Sequence, residues 1–155
     1  MAGDARFEDA TDHPLALRAF DGEDLQVLSA LVQDAIFNAS DVSFSRKRRR
    51  FAVLVNRFRW EAGTAAPERV RSVLAVEDVL GVQTQGFGCD DCELVFSVLA
   101  LDFRPGPDGA GEIEIILAGD GGIRLRVEAL EATLKDVTRP YIAPTGKRPH
   151  HDLAG

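Results

Sequence analysis

Two stretches, residues 51–60 and 94–103, constrain this chain more than any motif does. Each is strand-length, and each starts apolar on both faces. A segment with no polar face belongs inside a sheet that is covered on both sides. Around them lie shorter runs with period-two alternation, at 42–45, 70–77, 79–87, 113–117 and 123–127. That period places successive side chains on opposite faces of a strand. Gly119, Asp120, Gly121 and Gly122 separate the last two runs and supply the positive backbone angles a tight hairpin needs. Pro105, Gly106, Pro107 and Gly109 mark 104–111 as a loop.

Only two segments have helical period. At 22–37, Leu25, Leu28, Leu31, Val32, Ala35 and Ile36 form one apolar stripe. Asp21 is placed as its N-cap, Phe20 and Leu25 as its hydrophobic staple, and Asn38 as its left-handed stop. At 128–137, Leu130, Leu134 and Val137 fall at i, i+4 and i+7, which predicts a short closing helix. The fold class is therefore α+β: a mostly antiparallel sheet of about seven strands with an N-terminal and a C-terminal helix. Seven strands and a final helix match a pleckstrin-homology-like barrel. A split barrel and an open sheet with helices on one face satisfy the same count. Residues 1–14 read as a flexible N-terminus, 15–137 as one domain, and 138–155 as a Pro-rich tail, loose or strapped across the surface.

Charge is strongly segregated. The chain of 155 residues carries a net −7. Within residues 46–71, nine bases face only Glu61 and Glu68. They are Arg46, Lys47, Arg48, Arg49, Arg50, Arg57, Arg59, Arg69 and Arg71, and the window stands at +7. If 50–60 and 69–77 pair about Thr64, Arg59 lies opposite Arg69, Arg57 opposite Arg71, and Val55 opposite Val73. Four arginines would then share one face, at a cost of about 0.2–1 kcal/mol per like-charge pair. Two readings follow. The arginines form an anion-binding surface for an acidic protein or a nucleic acid, with Phe58 and Trp60 available for stacking. Alternatively, the protein's own acids neutralise them, with Asp34, Glu128, Glu131 and Asp136 as candidates, and 46–50 is a solvated turn. Phe58 and Trp60 share a face with Leu54 and read more simply as core.

Recognisable catalytic chemistry is sparse. Cys89 and Cys92 form a single C-x-x-C; zinc needs four ligands, which only His150 and His151 of the tail could complete. The flanking Asp90 and Asp91 oppose the low thiol pKa of a redox motif. The third histidine, His13, also lies in a flanking segment, which removes histidine-based general-base chemistry from the central region. The alternating Glu112 and Glu114 read as a solvated face, and Gly119–Gly122 leads into a strand, unlike a phosphate-binding loop. No catalytic residue, metal site or cofactor is assigned. No segment is long and apolar enough for a membrane span, and the acidic N-terminus with two cysteines suggests a cytoplasmic protein.

The segments LRAFDGEDLQVLSALVQDA (17–35), RRFAVLVNRFRWE (49–61), RVRSVLAVEDVLGVQTQGF (69–87) and GGIRLRVEALEATLKDV (121–137) resemble an alphaproteobacterial family known only as a domain of unknown function. VNRFRWE (55–61) and QDA (33–35) are phrases fairly specific to it. The likeness implies a bacterial, cytoplasmic, single-domain chain. It brings no activity and no site residues. The functional expectation is a non-enzymatic binding or adaptor domain whose arginine-rich hairpin takes an anionic partner. The alternative is a homo-oligomer held by charge complementarity. A small enzyme using carboxylates or a tail-completed zinc ranks third.

Overall fold

Alternating burial runs through almost every strand of the computed structural model, which describes residues 14–62, 68–86 and 94–142. Eleven strands form one antiparallel sheet among these residues: β1 (Ala16–Ala19), β2 (Ile36–Asn38), β3 (Val42–Ser45), β4 (Arg50–Phe58), β5 (Glu68–Val76), β6 (Val79–Gln85), β7 (Val95–Pro105), β8 (Gly111–Leu117), β9 (Gly122–Val127), β10 (Ala132–Asp136) and β11 (Tyr141–Ile142). One α-helix lies among the described residues, α1 (Gly22–Leu31), before β2. The order across the sheet is β1-β10-β5-β4-β2-β7-β8-β9-β6, with β3 added on β4 and β11 on β5. The sheet is open: β1 and β6 lie at the two ends of the order. In the order of strand pairing its two halves are joined by the three-residue β2, which pairs with β4 on one side and β7 on the other.

One core serves both halves. Phe51, Val53, Val55, Leu74 and Val76 from β4 and β5 belong to the same buried cluster as Ile113, Ile115, Leu117, Ile123 and Leu125 from β8 and β9. Leu25, Leu28 and Val32 enter it from α1 and the residue that ends it. The helix is also tied to β7 by polar groups: Leu101 donates its N–H to Ser29 Oγ (2.9 Å), and Gln26 Nε2 donates to the Leu101 carbonyl (3.3 Å). Asp21 caps α1 as expected, accepting from the Asp24 N–H at 2.8 Å. The hairpin between β8 and β9 turns where expected, with Gly119 and Asp120 at φ 81° and 69°.

Four strands lie beyond the seven read from sequence, and their causes differ. The closing helix does not exist. Ala132, Leu134 and Asp136 point inward while Thr133 and Lys135 point outward, so 132–136 is strand β10. The spacing of Leu130, Leu134 and Val137 was coincidental, for Val137 is 51% exposed. The first helix is also shorter than expected. It stops at Leu31, Asp34 takes the left-handed conformation (φ 64°) in place of Asn38, and Ile36 begins β2. Phe20, placed as a staple, is 56% exposed. β1 and β11 are short edge additions. β11 shows that the start of the tail is strapped onto β5, with Tyr141 opposite Arg69.

Candidate functional site

The basic window 46–71 folds as the β3–β4–β5 unit, so strand register decides what its arginines can do. β4 and β5 pair one residue away from the symmetric hairpin: Phe51 lies opposite Val76, Val53 opposite Leu74, Val55 opposite Ser72, Arg57 opposite Val70 and Phe58 opposite Arg69. The reason is apolar. This register turns Leu74 and Val76 into the core, where the symmetric one would have turned Val73 and Glu77. A slip of one residue exchanges the faces of a whole strand. Consequently Arg57 and Arg59 lie on the inner face, and Arg69 and Arg71 on the outer face. The expected four-arginine face is absent.

Arg57 is fully buried. All five guanidinium N–H groups find acceptors. Nε donates to Ser72 Oγ (3.0 Å), Nη1 to the Phe58 carbonyl (3.1 Å) and Glu61 Oε1 (3.0 Å), and Nη2 to Glu61 Oε2 (2.8 Å) and Asp136 Oδ1 (2.9 Å). Asp136 in turn accepts from Ser72 Oγ (2.7 Å) and from the Leu15 N–H (2.9 Å). Burial alone would lower the Arg57 pKa, but the two carboxylates outweigh it and the net shift is upward. For Glu61, burial pushes the carboxyl up, and the Arg57 hydrogen bonds, its own backbone N–H and the charges of Arg57 and Arg59 together reverse this, leaving it below its ordinary value. The group is a closed ionic network with no donor left for a ligand. Arg59, also buried, pairs with Glu68.

Arg69 is committed in part, to its neighbours on the outer face. Its guanidinium carbon sits 4.1 Å from the Phe58 ring centroid, and it donates to Asn56 Oδ1 (2.5 Å) and the Asn56 carbonyl (3.0 Å). Asn56 is held from the other side by Tyr141, whose hydroxyl accepts from Nδ2 at 2.6 Å. Phe58 and Trp60 do share the face of Leu54, but that face points outward. Trp60 is 49% exposed, tilts against Phe58 at 5.3 Å, and donates Nε1–H to the Gln33 carbonyl.

The remaining bases are exposed. Arg46, Lys47, Arg48 and Arg49 form the β3–β4 turn, Arg50 opens β4, and Arg71 lies in the first half of β5. Arg49 reaches Glu128 and Arg50 reaches Glu77 (2.8 Å). Arg46, Lys47, Arg48 and Arg71 make no ion pair among the described residues. Internal neutralisation thus claims Arg49, Arg50, Arg57 and Arg59. Of the acids named for that role, Glu128 and Asp136 serve. Glu61, Glu68 and Glu77 complete the set, from within or beside the basic window.

Cys89, Cys92, His13, His150 and His151 lie outside the described residues. Among those described, no group of three or more His, Cys, Asp or Glu side chains could hold a metal. Glu112 and Glu114 are partly exposed and face Arg124, with Glu114 also 3.2 Å from Arg104. No helix is long and apolar enough to cross a membrane among the described residues. No curated protein and no solved structure matches the chain. A family model does match, over residues 15–151, in agreement with the resemblance carried by segments 17–35, 49–61, 69–87 and 121–137. The chain belongs to the family described as protein of unknown function DUF2948.

Proposed function

We propose that this protein is a non-enzymatic binding domain that presents the β3–β4 turn to an acidic protein surface. The supporting observation is the turn itself. Arg46, Lys47 and Arg48 are exposed side by side with no ion pair among the described residues, while Arg49 and Arg50 beneath them are held by Glu128 and Glu77. The Arg48 N–H bonds Ser45 Oγ (3.2 Å), and Arg49 takes a left-handed conformation (φ 55°), so a defined turn carries the three charges.

A protein partner is favoured over nucleic acid on two grounds. Glu77, Asp78 and Glu128 border the turn, so the free cationic patch is only three side chains wide, the scale of a local acidic cluster rather than of a continuous phosphate backbone. The aromatic pair Phe58 and Trp60 lies at the other end of β4, roughly 25–30 Å away at strand rise, too far to stack bases held at the turn. The reading needs no pleckstrin-homology-like barrel, and the closing helix of that comparison is strand β10.

The test is binding of a labelled polyglutamate peptide, a single-stranded RNA and a DNA duplex across a salt series. The proposal predicts salt-sensitive peptide binding that the double change Lys47→Glu and Arg48→Glu weakens by about tenfold or more, with an unchanged circular dichroism spectrum. Preferential binding of RNA or DNA would replace the protein partner with a nucleic acid. Failure of all three ligands to bind at low salt would overturn the reading.

A further inference from the structure

A second site opens on the outer face, away from the turn, where β4 changes partners. Ile36 of β2 pairs with Asn56, and Val42 of β3 pairs with Val53. Between these two pairings the chain leaves the sheet through a single 3-10 turn, Ala39–Asp41, so Leu54 and Val55 have no partner on that edge. The gap is a cavity of about 230 Å³. Its lining includes Ile36, Asp41, Leu54, Asn56, Arg71 and Val95.

The charged groups of this cavity are of opposite sign, the one oriented through its carboxylate and the other carried on a fixed stretch of backbone. Arg71 is fixed through its backbone: its N–H donates to Thr138 Oγ1 (3.0 Å) and its carbonyl accepts from the Val137 N–H (2.8 Å). Its guanidinium has no hydrogen bond or ion pair among the described residues. Asp41 accepts the Asn38 N–H on Oδ2 (2.9 Å), which orients the carboxylate, and Oδ1 makes no hydrogen bond among the described residues. The two charges line one cavity and do not neutralise each other. Apolar side chains complete the wall: Ile36 is 37% exposed and Val95 59%. Asn56 is already engaged by Arg69 and Tyr141, and so serves as floor.

We propose that this cavity binds a small zwitterion, an α-amino acid with an aliphatic side chain. Arg71 takes the carboxylate in a charge-assisted pair, Asp41 Oδ1 takes the ammonium, and Ile36, Leu54 and Val95 take the side chain. The volume lies below the roughly 300–1,000 Å³ of sites for drug-sized ligands, which sets the scale at a single amino acid. A simple anion would leave Asp41 facing it, and a simple cation would leave Arg71 facing it. A ligand carrying both charges meets both.

Calorimetric titration with leucine, valine and methionine tests this, with leucinamide and 4-methylpentanoate as the analogues lacking one charge each. Saturable binding of at least one amino acid is expected, with both analogues weaker by about tenfold or more. Arg71→Gln and Asp41→Asn should each weaken it similarly; the asparagine keeps an acceptor for the Asn38 N–H, so the turn survives. The double change at Lys47 and Arg48 should leave it intact, which separates this site from the turn. No saturable binding up to about 10 mM, or analogues that bind as well as the amino acid, would overturn the proposal.

Discussion

The two ends of strand β4 are both rich in arginine and meet opposite fates. At one end, Arg46, Lys47 and Arg48 stand in water on a four-residue turn. At the other, Arg57 is fully buried and donates to Ser72, Phe58, Glu61 and Asp136. Position relative to the sheet accounts for the difference. A turn carries its side chains beyond the last ladder pair, Ser45 and Arg50, where nothing covers them. A residue within a strand is committed to one face, and Arg57 falls on the face that also holds Phe51, Val53 and Val55. A cation forced into a core survives only with its charge matched and its donors filled. The same residue type can therefore be a recognition element or an internal strut, and local sequence does not say which.

The largest effect should come from breaking the buried end. Arg57→Met leaves Asp136 and Glu61 without their cation and should cost about 3–5 kcal/mol in urea unfolding. A loss below about 1 kcal/mol would mean that Arg57 does not hold the inner face together, and the contrast between the two ends would fail. Glu61 sharpens the comparison through pH. Its carboxyl is depressed below the ordinary 4.5, so the stability it contributes is full above that value. That contribution is lost as pH falls through the lower folded-state pKa. Unfolding midpoints measured at descending pH should fall in this acid range, and Glu61→Gln should flatten the decline. An unaltered pH profile in that variant would separate Glu61 from the network. The smallest effect belongs to the turn: Lys47→Glu with Arg48→Glu should change stability by no more than about 0.5 kcal/mol in the same urea measurement. A larger loss would show that these residues also support the fold.

Much of the architecture is legible in the sequence. Seven strands, the Asp21 cap and the Gly119–Asp120 turn all carry local signals, because backbone preference and period-two burial act over a few residues. β10 was misread because five residues, Ala132–Asp136, are too few to separate a period of two from one of 3.6 when leucines fall by chance at helical spacing. β1, β2 and β11, two to four residues each, exist through the strands they join. Segregated charge was visible, as was the prospect that Glu128 and Asp136 would answer it. The cavity beside Leu54 was not visible, since it arises from four separate strands and a turn that leaves the sheet.

By itself, the sequence determined the strand-rich character of the chain, most of its turns, its family and the concentration of cations in one sixth of its length. Tertiary structure alone decided the register of β4 against β5, and with it the destiny of every arginine on those strands. The physical reason is one of range. Alternation is set by neighbours two residues apart, whereas the face that turns inward is set by partners such as Asp136, 79 residues from Arg57. A one-residue slip leaves the local pattern unchanged and inverts what the core receives.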